Sequence, residues 1–150
     1  MLSSLVARRI WLCSVFGAAL ASACHSPPDD SSAQAIEQRL VGTWLREYEE
    51  DGVKVRRVLV LESGGRFIEM SRITELNTST AQHSHRGDWL FDGTNLKRRY
   101  TSVDGRQPAA PVMPFATFEL KFTSRNEFVG IDRVRGREVH YRRVADGTLP

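Results

Sequence analysis

Leu40-Val41-Gly42-Thr43-Trp44-Leu45 is the stretch on which the reading of this chain turns. It has the character of an opening β-strand, with apolar residues crowded around a Gly-x-Trp step. From here the chain reads as strand, turn, strand. Strand one runs to about Glu50, and Asp51-Gly52 signals a hairpin because glycine accepts the positive φ of a two-residue turn. Strand two is Val53 to Glu62, and Ser63-Gly64-Gly65 turns the chain into strand three, Arg66 to about Ile73. Thr74 to Ser84 is polar and reads as a loop. Strand four carries a second Gly-x-Trp step, Gly87-Asp88-Trp89-Leu90-Phe91, and Asp92-Gly93 turns it into strand five, Asn95 to Val103.

After Asp104-Gly105 comes a loop containing Pro108, Pro111 and Pro114, residues that a central strand excludes. Strand six alternates most cleanly. Ala116, Phe118, Leu120 and Phe122 share one face, and Thr117, Glu119, Lys121 and Thr123 share the other. Strand seven, Glu127 to Val134, turns at Arg135-Gly136 into strand eight, Arg137 to Val144, before a frayed tail at 147–150. About eight short strands joined mainly by turns predict an all-β antiparallel meander. Closing it into an up-and-down barrel removes the two exposed edges, and eight strands enclose a packed core or one small ligand.

Upstream, Ser31 to Arg39 predicts a short helix capped by Ser31 or Ser32, leading into strand one and plugging one barrel end. Earlier still, the chain carries address rather than fold. Arg8-Arg9 precedes an apolar run, Ile10 to Ala23, that ends in Ala21-Ser22-Ala23 before Cys24. Positive, apolar, then small is the layout of a bacterial export signal, and the run falls short of the ~20 residues that span a bilayer. Residues 1–23 are thus expected to be a signal peptide, 24–33 a flexible tether and 34–146 the barrel domain. The tether follows from His25-Ser26-Pro27-Pro28-Asp29-Asp30-Ser31-Ser32, too polar to bury a core. Two readings of the junction stand: a signal peptidase cut after Ala21-x-Ala23, or lipidation of Cys24.

Of the two cysteines, Cys13 lies in the signal, so the mature domain has no disulfide and must rely on its core. About 115 residues suffice for one such core. The net charge of +3 falls to +1 once Arg8 and Arg9 are removed, which argues against nucleic-acid binding. The many arginines are expected to lay their stems on the barrel's outside and keep their heads in water.

The two Gly-x-Trp blocks, the Gly64-Gly65-Arg66-Phe67 turn and the Tyr141-x-Arg143 ending resemble, in that order, lipocalins and the looser set of bacterial lipocalin-like lipoproteins. In lipocalins the first-strand Trp closes one barrel end, and an Arg near the end of the last strand packs across it. The resemblance implies these parts for Trp44 and Arg143, a favourable guanidinium–indole contact. It also implies lipidation at Cys24, with His25 pointing to an outer-membrane address facing the periplasm. The competing reading, by likeness to small intracellular fatty-acid carriers, makes Tyr141 and Arg143 a carboxylate clamp.

Trp89, Phe91, Phe118, Leu120 and Phe122 are expected to fill the barrel or line a pocket in it. His83-x-His85 is read as a solvated loop pair, since a closed metal site needs four ligands. The haem-barrel pattern Gly-x-Trp-x-Gly-x-Gly is absent, because Arg46 and Tyr48 occupy the later glycine positions. Glu47, Glu49, Glu50 and Asp51 read as a solvated edge. There is no Gly-x-Ser-x-Gly, P-loop or Gly-x-Gly-x-x-Gly, so neither a catalytic residue nor a cofactor is expected. The expected function is a non-catalytic, membrane-anchored binder of a small apolar or amphipathic molecule, anionic if Arg143 points inward. The alternative is an envelope module with a filled barrel that contacts another protein.

Overall fold

The computed structural model describes residues 30–75, 80–109 and 115–150. Among the described residues one helix, α1 (Asp30–Leu40), precedes β1 (Gly42–Glu50), β2 (Val53–Leu61), β3 (Arg66–Glu75), β4 (Thr80–Phe91), β5 (Asn95–Val103), β6 (Phe115–Ser124), β7 (Glu127–Asp132) and β8 (Arg137–Val144). Each strand pairs antiparallel with the next, and β1 pairs with β8 to close the barrel. The seam is short. Only Thr43↔Val144, Trp44↔Arg143 and Leu45↔Arg142 join β1 to β8, whereas β1 pairs β2 along its whole length. No helix of the described residues is long and apolar enough to cross a membrane. Cys24, residues 24–29 of the tether, Pro111 and Pro114 lie outside the described residues.

The barrel matches the meander expected, with instructive departures. Leu40 ends α1 instead of opening β1, and it is fully buried at the barrel end. Asp30 to Ala33, expected as tether, form the first turn of the helix. Much of the polar loop expected at Thr74–Ser84 is strand. The β3–β4 ladder continues from Arg66↔Asp88 to Thr74↔Thr80. Thr80, Ala81 and Gln82 are exposed there, and a strand wet on both faces has no apolar alternation to betray it. β7 stops at Asp132 because its carboxylate accepts the Val134 and Arg135 N–H groups at 3.1 and 3.0 Å, folding 133–136 into a turn.

The C-terminal tail is not frayed. Thr43 Oγ1 donates to Asp146 at 2.6 Å, and Arg56 Nε donates to the Leu149 carbonyl at 3.3 Å. The tail therefore crosses the outer faces of β1 and β2. Leu45 and Val58, a cross-strand pair on that face, are both buried.

Two glycines show why the Gly-x-Trp steps are spelled as they are. Gly42 has φ 131°, and a Cβ there would overlap the Arg143 guanidinium. Gly87 sits at a bulge between β4 and β5, where a Cβ would run into the Arg99 carbonyl.

Candidate functional site

Alternation along the strands divides the barrel interior into two zones. The first is the plugged end. Trp44 is fully buried, and its Nε1 donates to the Leu40 carbonyl at 2.7 Å, tying β1 to the end of α1. The Arg143 guanidinium lies 4.3 Å from the centre of the Trp44 ring and donates to the carbonyls of Val41 (2.9 Å) and Arg39. Two of its five N–H groups are thus taken up by backbone carbonyls at the barrel end. Phe128 meets Trp44 edge-on at 4.7 Å and stacks on Tyr141 at 5.0 Å. Trp89 is buried, with Nε1 donating to the Glu62 carbonyl at 3.0 Å. Phe91, Phe118, Leu120 and Phe122 are partly buried and pack against the same apolar cluster.

The second zone is charged. Glu69, on the inward face of β3 two residues beyond Phe67, is buried with only 1% exposure. Its neighbours come from β2, β4 and β5. Arg98 of β5, also buried, donates from Nη1 to Glu69 Oε2 at 2.6 Å. Arg57 of β2 donates from Nη1 to Oε1 at 3.4 Å, a long contact. His85 of β4, directly opposite Glu69 in the ladder, places Nδ1 at 3.6 Å from Oε1, an ion-pair distance rather than a hydrogen bond. Arg46 lies opposite Arg57 in the β1–β2 register, shares Trp44's inward face, and packs on the Tyr48 ring at 4.3 Å. Arg98 is ringed by Phe67, Tyr100 and Phe118, each 5.5–5.6 Å from its guanidinium carbon.

Two guanidiniums and an imidazole therefore face one carboxylate, with a third guanidinium, Arg46, on the same inward face. Arg46 and Arg57 are like charges directly opposite on paired strands, an arrangement that destabilises a sheet. Arg57 Nε, Arg98 Nε and His85 Nδ1 are buried without a hydrogen-bond partner among the described residues. Such orphaned groups are rare because each costs its full desolvation. Asp132, another buried acid, is committed to its own turn and to Arg135.

The electrostatics follow from burial opposed by charge. Burial pushes the Glu69 carboxyl up, but the Arg98 charge, the His85 contact and Arg57 outweigh it and hold it well below the usual carboxylate range. Burial works against the Arg98 charge too, and Glu69 overcomes it, so Arg98 stays charged. Burial raises Tyr100 to about 12 and raises Tyr141 as well, so both phenols are neutral at pH 7.

His83 lies in β4 rather than in a loop, with Nδ1 2.9 Å from Asp104 Oδ2. That contact holds Asp104 below its ordinary value. Among the described residues no group of three or more His, Cys, Asp or Glu side chains is placed to hold a metal ion.

The reading that arginine stems lie outside with wet heads fails for Arg98, which is buried, and for Arg57, whose Nε is buried. The signal was present in the alternation. Leu96-x-Arg98-x-Tyr100 and Phe67-x-Glu69-x-Ser71 each carry a charge on an otherwise core-facing row.

The molecule is an all-β, eight-stranded antiparallel barrel with one plugged end and a charged interior belt, compatible with a lipocalin-like fold. No protein-family model matches the chain, and no curated protein matches it.

Proposed function

We propose that this chain is a non-catalytic binding barrel of the lipocalin-like lipoprotein kind, anchored to the bacterial envelope through Cys24. Its ligand is a small amphipathic molecule with an anionic head. The surplus of guanidinium over carboxylate in the belt carries this reading. Surplus buried cations with orphaned N–H groups are costly in an empty barrel, and one anion relieves both costs at once. The plugged end is filled by Trp44, Trp89 and their neighbours, so the head group sits at Arg57, Arg98 and His85. The apolar tail runs away from the plug, past Tyr48, Val55 and Ile73, which share the inward faces of β1, β2 and β3.

Native mass spectrometry and calorimetric titration of the protein with dodecanoate and with dodecanol test the proposal. Dodecanoate should bind one to one and dodecanol at least tenfold more weakly. Equal binding of the two, or binding of neither, overturns the anionic-ligand reading and leaves a barrel that works through its outer surface. The anchor is tested separately: Cys24→Ser should abolish fatty-acid labelling of the chain, and labelling that survives removes the lipoprotein part.

A further inference from the structure

Outside the barrel, at its plugged end, Arg39, Arg125, Asn126 and Arg143 line a hollow of about 740 Å³. We infer that this hollow is a binding site for a phosphate group, separate from the interior belt.

Two of its three guanidiniums are already fixed in place. Arg39 packs over the Phe122 ring at 3.7 Å and donates to the carbonyls of Ser124 and Arg125. Arg143 packs over Trp44 and donates to the carbonyls of Val41 and Arg39. Each contact uses part of the five-donor fork and leaves further N–H groups free for a ligand. Arg125 is exposed at the β6–β7 turn, with no ion-pair partner among the described residues. Nearby acids are engaged elsewhere: Glu127 accepts from Ser124 Oγ at 3.4 Å, and Asp146 accepts from Thr43.

The hollow thus gathers three positive charges and lines itself with no carboxylate. Guanidinium forks match phosphate oxygens in pairs, and a phosphate offers enough oxygens to engage all three. Holding two of the cations on aromatic rings and carbonyls beforehand lowers the ordering cost of binding. The same chemistry is presented by free phosphate, by a phosphomonoester or by a lipid headgroup at a membrane surface.

The test uses the full chain, Arg125→Ala and the control Arg99→Ala. Arg125 makes no internal bond that its loss would break, and Arg99 removes the same charge from a distant exposed pair with Asp88. Inorganic phosphate is titrated by calorimetry, and binding to vesicles of phosphatidylglycerol is compared with binding to phosphatidylcholine. Saturable phosphate binding weakened at least tenfold by Arg125→Ala, and kept by Arg99→Ala, supports a site for free phosphate. No phosphate binding, but a preference for phosphatidylglycerol lost only in Arg125→Ala, supports a lipid-borne phosphate. Binding of neither probe, or equal weakening by both variants, overturns the inference.

Discussion

The two ends of this barrel solve the same packing problem in opposite ways. At the plugged end the indole and guanidinium groups that enter are anchored on backbone carbonyls. The Trp44 indole N–H goes to Leu40, the Trp89 indole N–H to Glu62, and the Arg143 forks to Arg39 and Val41. Aromatic rings fill the remaining space at 4.7–6.2 Å between centroids. In the belt, polar groups outnumber their partners, and Arg57, Arg98 and His85 each keep a buried nitrogen unmet. A small domain without a disulfide needs one zone that is fully satisfied. Having it at one end allows the other to carry cost, and unmet buried groups are where function is most economically sought.

The sharpest way to break the plugged end is Trp44→Ala. It removes a fully buried indole, its hydrogen bond and the surface under Arg143, and should cost about 4–5 kcal/mol in urea unfolding. Glu69→Gln breaks the belt instead. It leaves buried Arg98 and partly buried Arg57 without a counter-charge and should cost about 3–5 kcal/mol. The two differ in pH dependence. Because Glu69 is held below the carboxylate range only when folded, its contribution is complete above the unfolded value, about 4.3. It is lost as pH falls toward the folded value. The native urea midpoint should therefore drop on acidification below about pH 4.3, and Glu69→Gln should flatten that drop while Trp44→Ala preserves it.

A smaller effect comes where β6 meets β7. A Cβ on Gly130 would lie 3.0 Å from Phe118 Cβ and from Val139 Cγ2, so Gly130→Ala should cost about 1–3 kcal/mol by overpacking, measured as a lower melting temperature. The outer surface should contribute least. Lys54 and Glu49 are 3.9 Å apart and more than half exposed, and Lys54→Ala should shift stability by no more than about 0.5 kcal/mol.

Much of the fold is legible in the sequence because turn residues punctuate it. Asp51-Gly52, Gly64-Gly65, Asp92-Gly93 and Arg135-Gly136 all fall between strands. The start of β4 is not legible, since Thr80 to Gln82 extend beyond the core and carry no apolar face. The helix end at Leu40 is hidden because one residue serves the helix and the plug together. Of the residues singled out, Trp44 and Arg143 lie in contact at the barrel end, while Trp89 and Phe91 join the packed cluster there. The belt was hidden for another reason. Arginine is common along these strands, and only the face it occupies separates Arg98, inside, from Arg99, paired with Asp88 outside. That face depends on register, and the bulge at Arg86/Gly87 sets the register between β4 and β5.

The measurement that goes most directly to the belt is a paired one on Arg57→Met: unfolding free energy and dodecanoate affinity of the same protein. Arg57 is the belt's weakly held cation, 3.4 Å from Glu69 and opposite Arg46. If the belt holds surplus charge for a ligand, the substitution should leave stability unchanged or raised and weaken dodecanoate at least tenfold, about 1.4 kcal/mol. If Arg57 is there only to neutralise Glu69, the variant should lose stability and keep whatever affinity the native barrel has, and that result would contradict the account.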